Sequence, residues 1–593
     1  MAKSLPWATI ETLPSASGEE LAAWEQLVDS AGDPEARLHA LVGRALATYW
    51  AAQTGASPDS WDTLAQRRAA DVSEAVELAR RGPRHRVDLL ATALLGRLAA
   101  TWGPDAATGR VRDVEELGEL LEVLDDTELR LRAREWLVLG RFDAGDLAGA
   151  RREIAHFVGE LSGTREPLFH RRVALWHANL AMLEGRFDEA VRLNQSTISH
   201  TADSAGAPFS CQNVAITVAV ERYFRRRLDE VIDTIASIRA SSPRVGANWE
   251  VGLAFALAES GQLDEARDIF DALAIDDFAL ITRDLNWLVT MVLLAMIAFR
   301  LADTDRCATL LEELKPFAHL DATHGFGYCS YGPVGRIVGS LAAACGDLAV
   351  AEAEFDRVLR SREPGPWTTM CRLDRAAARS STDPAGAHAD ARRAEEEFRL
   401  LGLTGWAEDG RSLWVARSLD GHGPPIALRG PSGGWTLRHP SGRAELADGV
   451  GARHLTSLLG RPGRAVGVAE LDRSEPTEDP RGPSVMSTLD HAARRAYQRR
   501  LATLDAADRT LDPDEQEERS RLRLELAGGT YTPTVSKELE RTRVRVTKAL
   551  HREIARIAQQ SPDLGRHLSE SIETGRHCLY APADGVGWDV VTG

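Results

Sequence analysis

The sequence predicts a mostly helical protein in two parts: an array of repeated helix pairs over residues 1–420, then a small α+β domain over residues 421–593. Three observations carry the prediction. A short turn pattern, with Gly in four of its six copies, recurs in the first part at spacings of 35 to 44 residues. After residue 425 the hydrophobic period falls from about 3.6 to about 2. The charge shifts at the same place. The chain carries −17, yet residues 421–593 hold 25 Lys+Arg against 24 Asp+Glu, which leaves −18 on the first 420. An acidic body repels nucleic acid, so any nucleic-acid contact is expected from the end of the chain.

At 593 residues the chain is too long for one core, and 44% hydrophobic with 27% charged residues is an ordinary globular composition. Only Lys3, Lys315, Lys537 and Lys548 among the 71 basic residues are lysines, a bias that fits a GC-rich bacterial genome. Cys211, Cys307, Cys329, Cys345, Cys371 and Cys578 are scattered without a C-x-x-C pair, which predicts reduced thiols in a cytoplasm. Residues 1–7 lack the apolar core of a signal peptide. No run reaches the ~18 apolar residues of a membrane span. The longest, residues 285–301, contains Asn286 and Arg300 and reads as a buried repeat helix, so no membrane contact is expected.

The repeat places a small or polar residue first, Leu or Phe two positions on, and a small residue three further. It occurs at Gly145/Leu147/Ala150, Gly185/Phe187/Ala190, Gly261/Leu263/Ala266 and Gly346/Leu348/Ala351. Degenerate copies stand at Arg226/Leu228/Val231 and Ala302/Thr304/Cys307. Gly ends one helix because it tolerates positive φ. The large residue is expected between the two helices, and the small one lets the next helix approach. A pair cannot bury its apolar face alone, so pairs stack, and the period is at or above the ~34 residues of a tetratricopeptide repeat. The first part therefore reads as a tetratricopeptide-like α-solenoid, expected to bind a protein, a peptide or a small ligand in its groove. Residues 30–135 are helical by pattern without a clear copy. The array is expected to end near Trp414, before the linker Gly421-His-Gly-Pro-Pro425.

Beyond the linker, residues 426–429, 435–439 and 443–446 alternate and are separated by Pro/Ser/Gly turns, as in a small antiparallel sheet. Residues 451–460 read as a helix with Leu455, Leu458 and Leu459 inward. Pro462-Gly463 is a turn, and Val468 starts a second helix. An insertion over about 473–530 is expected to hold a helical hairpin at 489–504 and 515–526. A long helix follows at about 537–559, then a closing hairpin at 572–580.

The long helix is the most informative segment. At 100° per residue, Leu539, Val546, Leu550, Ile554 and Ile557 share one stripe, and Arg541, Arg545, Lys548, Arg552 and Arg556 share the other. Only Arg543 breaks the division. A winged helix-turn-helix needs such a helix, with one face on the domain and the other in the major groove beside the phosphates. The closing hairpin, with Arg576 and His577 expected at its tip, would be the wing. A solvated face in an Arg-rich chain, or docking to an acidic protein, accounts for the same stripe.

Further motifs point the same way. They include Trp435-Thr-Leu, Leu446-Ala-Asp448, Gly451-Ala-Arg-His-Leu455, Arg461-Pro-Gly463, Tyr497-Gln-Arg-Arg-Leu501, Glu540-Arg-Thr-Arg543, Val546-Thr-Lys548, Pro562-Asp-Leu-Gly565 and residues 572–582. This series resembles the C-terminal part of large bacterial ATP-binding regulators of the MalT-like, tetratricopeptide-containing kind, some of them fused to cyclase domains. Asp276-Asp-Phe278 and Leu314-Lys-Pro-Phe317 resemble their repeat region. The resemblance spans roughly residues 30–582 and is most specific over 435–582. It implies an OmpR-like winged helix with an insertion between its second and third helices. It also implies DNA binding through Arg541, Arg545, Lys548, Arg552 and the hairpin. Those relatives carry a P-loop ATPase before the repeats, whereas none of the four lysines here follows a glycine, as a Walker A loop requires. The ATPase module is therefore expected to be absent, and Ala452 stands where the family has a large apolar residue.

No catalytic residues, cofactor or metal are expected. Gly430-Pro-Ser-Gly-Gly434 fits the G-x-S-x-G pattern, but Pro431 precedes the Ser and a strand follows, so it reads as a hairpin turn. His577 and Cys578 have no second metal pair nearby. The Gly-rich stretch 325–335, with Tyr328, Cys329 and Tyr331, reads as tight helix packing or as groove lining, and the acidic run 512–518 as a solvated helix start. Two functions compete: a non-enzymatic transcriptional regulator that binds DNA through the second part, and a protein-interaction scaffold whose second part docks proteins.

Overall fold

The computed structural model describes residues 18–54, 59–161, 167–199, 207–241, 246–420, 424–472 and 537–592 except residue 584, with Leu5 and single positions between 497 and 526. The protein is mostly helical with a few small sheets. It divides into two compact units, Met1–Arg411 and Ser412–Gly593.

The first unit runs through α1 (Gly18–Ser30), α2 (Pro34–Thr54), α3 (Trp61–Arg81), α4 (Val87–Ala100), α5 (Ala107–Leu120), α6 (Thr127–Asp143), α7 (Leu147–Leu161), α8 (Pro167–Leu183), α9 (Phe187–Ser199), α10 (Ala207–Phe224), α11 (Ile232–Ser241), α12 (Gly246–Glu259), α13 (Leu263–Leu273), α14 (Trp287–Arg300) and α15 (Thr304–Leu314). After a hairpin of β1 (Asp321–His324) and β2 (Cys329–Pro333) come α16 (Val334–Ala344), α17 (Leu348–Ser361), α18 (Pro366–Ala378), α19 (Pro384–Leu400) and α20 (Thr404–Leu419), the last crossing into the second unit. Consecutive helices pack as pairs: α2 with α3, α6 with α7, α8 with α9, α12 with α13, α14 with α15, α16 with α17 and α18 with α19.

The pattern falls on the turns inside these pairs, except the Arg226 copy, which follows α10, and its chemistry is visible in the backbone. Gly145, Gly185, Gly261 and Gly346 take φ between +68° and +84°. At each, the N–H of the next residue donates to the carbonyl five residues before it, as from Asp146 to Arg141 and from Asp347 to Ala342. This is a Schellman cap, which satisfies carbonyls a helix end would otherwise leave bare. The degenerate copies keep the geometry without the glycine, with Arg226 at φ 57° and Ala302 at φ 53°. A further cap at Gly402, φ +71°, carries the same bonding, with Thr404 in place of the large apolar residue. The small residues Ala150, Ala190, Ala266, Ala351 and Cys307 are all buried. The large residues behave unevenly: Leu147, Phe187 and Leu228 are buried, but Leu263 is 43% exposed, so the expected interhelix position does not hold at every copy.

Distant pairs also meet. Arg283 reaches Asp105 at 2.8 Å, Arg362 reaches Asp321 at 2.7 Å, Arg226 pairs with Asp409, and the Leu285 N–H donates to the Tyr49 hydroxyl. The array thus closes around an interior, and the β1–β2 hairpin occupies it. This corrects the expectation of helix packing for residues 325–333, while Gly335, in α16, does pack closely against Val358 of α17. The hairpin turn is held from several sides. Trp176 Nε1 donates to the Phe326 carbonyl at 2.6 Å, Asn179 Nδ2 to the Gly327 carbonyl at 3.0 Å, and the Gly325 N–H donates to Asn286 Oδ1 at 3.3 Å. The Phe326 ring lies 4.3 Å from Trp102 and 5.3 Å from Trp136, under the buried Arg172 guanidinium at 3.9 Å. Arg172 is in turn ion-paired with Glu135 at 2.7 Å. Gly327 is required here: at φ +83°, a Cβ would stand 2.7 Å from the Phe142 ring.

The second unit opens with β3 (Ile426–Arg429), β4 (Trp435–His439) and β5 (Gly442–Leu446), antiparallel in register with Leu428 opposite Thr436 and Leu437 opposite Ala444. Then follow α21 (Val450–Leu459), β6 (Val466–Gly467), α22 (Val468–Leu471), α23 (Lys537–Gln560), α24 (Pro562–Ser571), β7 (Ile572–Glu573), β8 (His577–Tyr580) and β9 (Asp589–Val591). Strands β6 and β9 and helix α24 are additions to the sequence reading. Strand β9 joins β3 in parallel and completes a four-stranded sheet, β5-β4-β3-β9. Helix α24 stands between the long helix and the closing hairpin, and Gly565 makes room for its approach to Ala558. The hairpin β7–β8 pairs with β6 in a second sheet, β6-β8-β7. Trp588 Nε1 and His567 both bond the Tyr580 hydroxyl, tying the last segment to the hairpin. The linker residues 421–423 and most of the expected insertion lie outside the described residues. Within the insertion, Leu504 packs on Leu522, and Arg500 pairs with Glu518 at 2.8 Å.

Candidate nucleic-acid interface

The 24 residues of α23 are divided by burial as by sequence. Val546, Leu550, Ile554 and Ile557 are buried in one core with Leu455, Leu458 and Leu459 of α21, Val468 and Leu471 of α22, and Cys578 and Tyr580 of β8. Leu539 packs at the edge of that core. The other stripe, Arg541, Arg545, Lys548, Arg552 and Arg556, is exposed along its whole length.

The five cations are not equivalent. Arg545 is held by Asp472 at the C-terminal end of α22, with Nε 3.3 Å from Oδ1 and a closer contact to Oδ2. Arg556 donates from Nη1 to Glu553 Oε1 at 2.8 Å, and Glu553 is buried. Arg541, Lys548 and Arg552 have no ion pair or hydrogen bond among the described residues. From Arg541 to Arg552 the helix rises by about 16 Å, at 1.5 Å for each step between residues. Arg543, the residue that broke the stripe, is half-buried and bonds Glu540 at 2.9 Å. That bond holds the Glu540 carboxyl below its ordinary range.

The hairpin contributes less charge than the sequence reading assigned it. Arg576 ends the turn, and its carbonyl accepts from the Val468 N–H at 3.0 Å. His577 is not at the tip: it lies within β8, opposite Gly467. Burial, and then the neighbouring Arg576, push its imidazole below the ordinary value, so it is neutral near pH 7 and offers hydrogen bonds rather than charge. Arg523 of the insertion pairs with Glu573 of β7.

Sequence reasoning missed the two acids that neutralise part of the stripe. The Glu553–Arg556 pair was available from its i,i+3 spacing. The Asp472–Arg545 pair was not, because 73 residues separate its members.

The other candidate positions fall in structural roles. Gly430–Gly434 forms the β3–β4 turn, with Gly433 at φ +83° donating to the Gly430 carbonyl. Tyr328, Cys329 and Tyr331 are buried in the β1–β2 hairpin, where burial pushes the Cys329 thiol up to about 12. Among the described residues no helix is long and apolar enough to cross a membrane. No protein-family model and no curated protein matches the sequence.

Proposed function

We propose that the protein is a DNA-binding transcriptional regulator. The second unit acts as a winged helix-turn-helix with α23 as its DNA-reading helix, and the first unit acts as a tetratricopeptide-like solenoid that senses a ligand. The observation that carries this reading is the row Arg541, Lys548 and Arg552, exposed and without acidic partners among the described residues, on the outer side of a helix whose inner side is core. A major groove about 12 Å wide admits one helix, and cations along its outer side meet the phosphates that flank it. In this reading the hairpin β7–β8, which follows α23 in the chain and pairs with β6, would serve as the wing.

The pairing of Arg545 and Arg556 with acids favours a second reading, in which the stripe docks a protein and fewer cations are spared for phosphates. Mobility shift of genomic fragments by the full chain at low salt separates the two. Retarded bands that resist competition by unrelated DNA are expected. A folded protein that retards no fragment at about 50 mM salt, where phosphate contacts are strong, rejects the DNA reading.

A further inference from the structure

We propose that the interior of the first unit is a binding site for a small, uncharged ring compound carrying a hydrogen-bonding group. The interior holds a cavity of about 170 Å³, walled by α10, α12, α14 and the β1–β2 hairpin. That volume is close to the roughly 150 Å³ apolar cavity known to hold one benzene. Among the described residues its lining contains no Asp, Glu, Lys or Arg, although 27% of the chain is charged. Aromatic rings dominate instead, among them Trp102, Tyr223, Trp249, Phe326 and Trp367. Such walls offer edge-to-face and offset contacts to another ring. A charged ligand would lose its hydration here with no counter-ion to replace it.

The polar demand in the cavity is also specific. His324, at the end of β1, lines it, and its Nδ1 is buried without a partner among the described residues. Asn213 Nδ2 and Trp367 Nε1, from two other walls, are likewise buried without partners. Buried polar groups are ordinarily satisfied, because each one left bare costs stability. The two unmet donors call for an acceptor on the ligand, and the His324 nitrogen calls for a donor or an acceptor according to its tautomer. Burial lowers the His324 pKa to about 4, so the ring meets that ligand neutral. The hairpin that carries His324 is anchored by Trp176 and Asn179 of α8, so an occupied cavity bears directly on how the array closes. The use of this site as the input to DNA binding rests on the function proposed above. The binding itself does not.

The test is direct titration of the full chain, without DNA, with phenol, toluene and benzoate, read by calorimetry and by the thermal midpoint. Saturable binding of phenol and weaker binding of toluene are expected, with benzoate at least tenfold weaker than phenol. In His324→Leu, which keeps the volume and removes the nitrogens, phenol is expected to fall to the level of toluene. In Ala219→Phe, which fills the cavity from α10, both neutral compounds are expected to lose binding while the fold persists by circular dichroism. The inference is overturned if no neutral ring saturates the folded wild type, if benzoate binds as well as phenol, or if Ala219→Phe binds unchanged. A failure of DNA binding with phenol binding intact would reject only the regulator reading.

Discussion

At the scale of single residues, the same backbone requirement has different consequences according to what surrounds it. Gly327 and Gly346 share a left-handed φ, +83° and +84°. A Cβ at Gly346 would meet nothing within 4 Å, whereas at Gly327 it would stand 2.7 Å from the Phe142 ring. Gly346→Ala is therefore expected to cost only the backbone strain, about 1–2 kcal/mol. Gly327→Ala adds an overpacked interior, for about 2–5 kcal/mol in all. Chemical denaturation of the two variants checks the difference, and equal losses would mean that the hairpin is not packed as described. His324 supplies a pH signature. An unfolded chain protonates this ring near its ordinary 6.5, the folded chain only near 4. Between those values the unfolded state binds more protons, so stability falls as the pH drops from 6.5 toward 4. At pH 5 the wild type should have lost on the order of 2 kcal/mol relative to His324→Gln, compared with pH 7.5. An unchanged difference between the two proteins at both pH values would show that the ring is not sealed.

At the scale of elements, the turns and the long helix were legible in the sequence because both are local. A Schellman cap needs one left-handed residue, and an amphipathic helix repeats its pattern every few positions. Ala302 reveals where legibility weakens: it fills a glycine's position at φ 53° and is exposed. Ala302→Gly is expected to stabilise the protein by about 1 kcal/mol, because glycine enters the left-handed region without the Cβ penalty. Thermal unfolding measures it, and a loss of stability would contradict the cap. The β1–β2 hairpin was not legible as strands. Its nine strand residues are nearly all buried on both faces and show no alternation. Its glycines also serve close approach to Phe142 and Trp367 of other elements, which no local pattern announces. Strand β9 was hidden for a related reason, since its parallel partner β3 lies more than 150 residues earlier. On α23, Asp472→Asn releases Arg545 to solvent. If the stripe binds DNA, the salt slope of binding should steepen by ~0.9 and affinity should rise. No change in slope would place Arg545 outside the contact.

At the scale of the whole molecule, charge and architecture are divided between the two units. The first carries a net negative charge, a helical array packed around the β1–β2 hairpin, and a cavity whose described lining holds no charged side chain. The second is nearly neutral overall, and three cations without an ion pair among the described residues, Arg541, Lys548 and Arg552, share one side of one helix. Under the proposed function, that division would assign sensing to the first unit and DNA reading to the second. The DNA reading stands or falls on whether Arg541, Lys548 and Arg552 contact phosphates. The decisive experiment is the salt dependence of DNA affinity for the full chain and for the triple variant Arg541→Ala, Lys548→Ala, Arg552→Ala. The wild-type log–log slope is expected at about −2.7 or steeper, and the triple variant is expected to flatten it by ~2.7 with a matching loss of affinity. A folded triple variant that keeps the wild-type slope and affinity would remove these three cations from any DNA contact and the DNA reading with them.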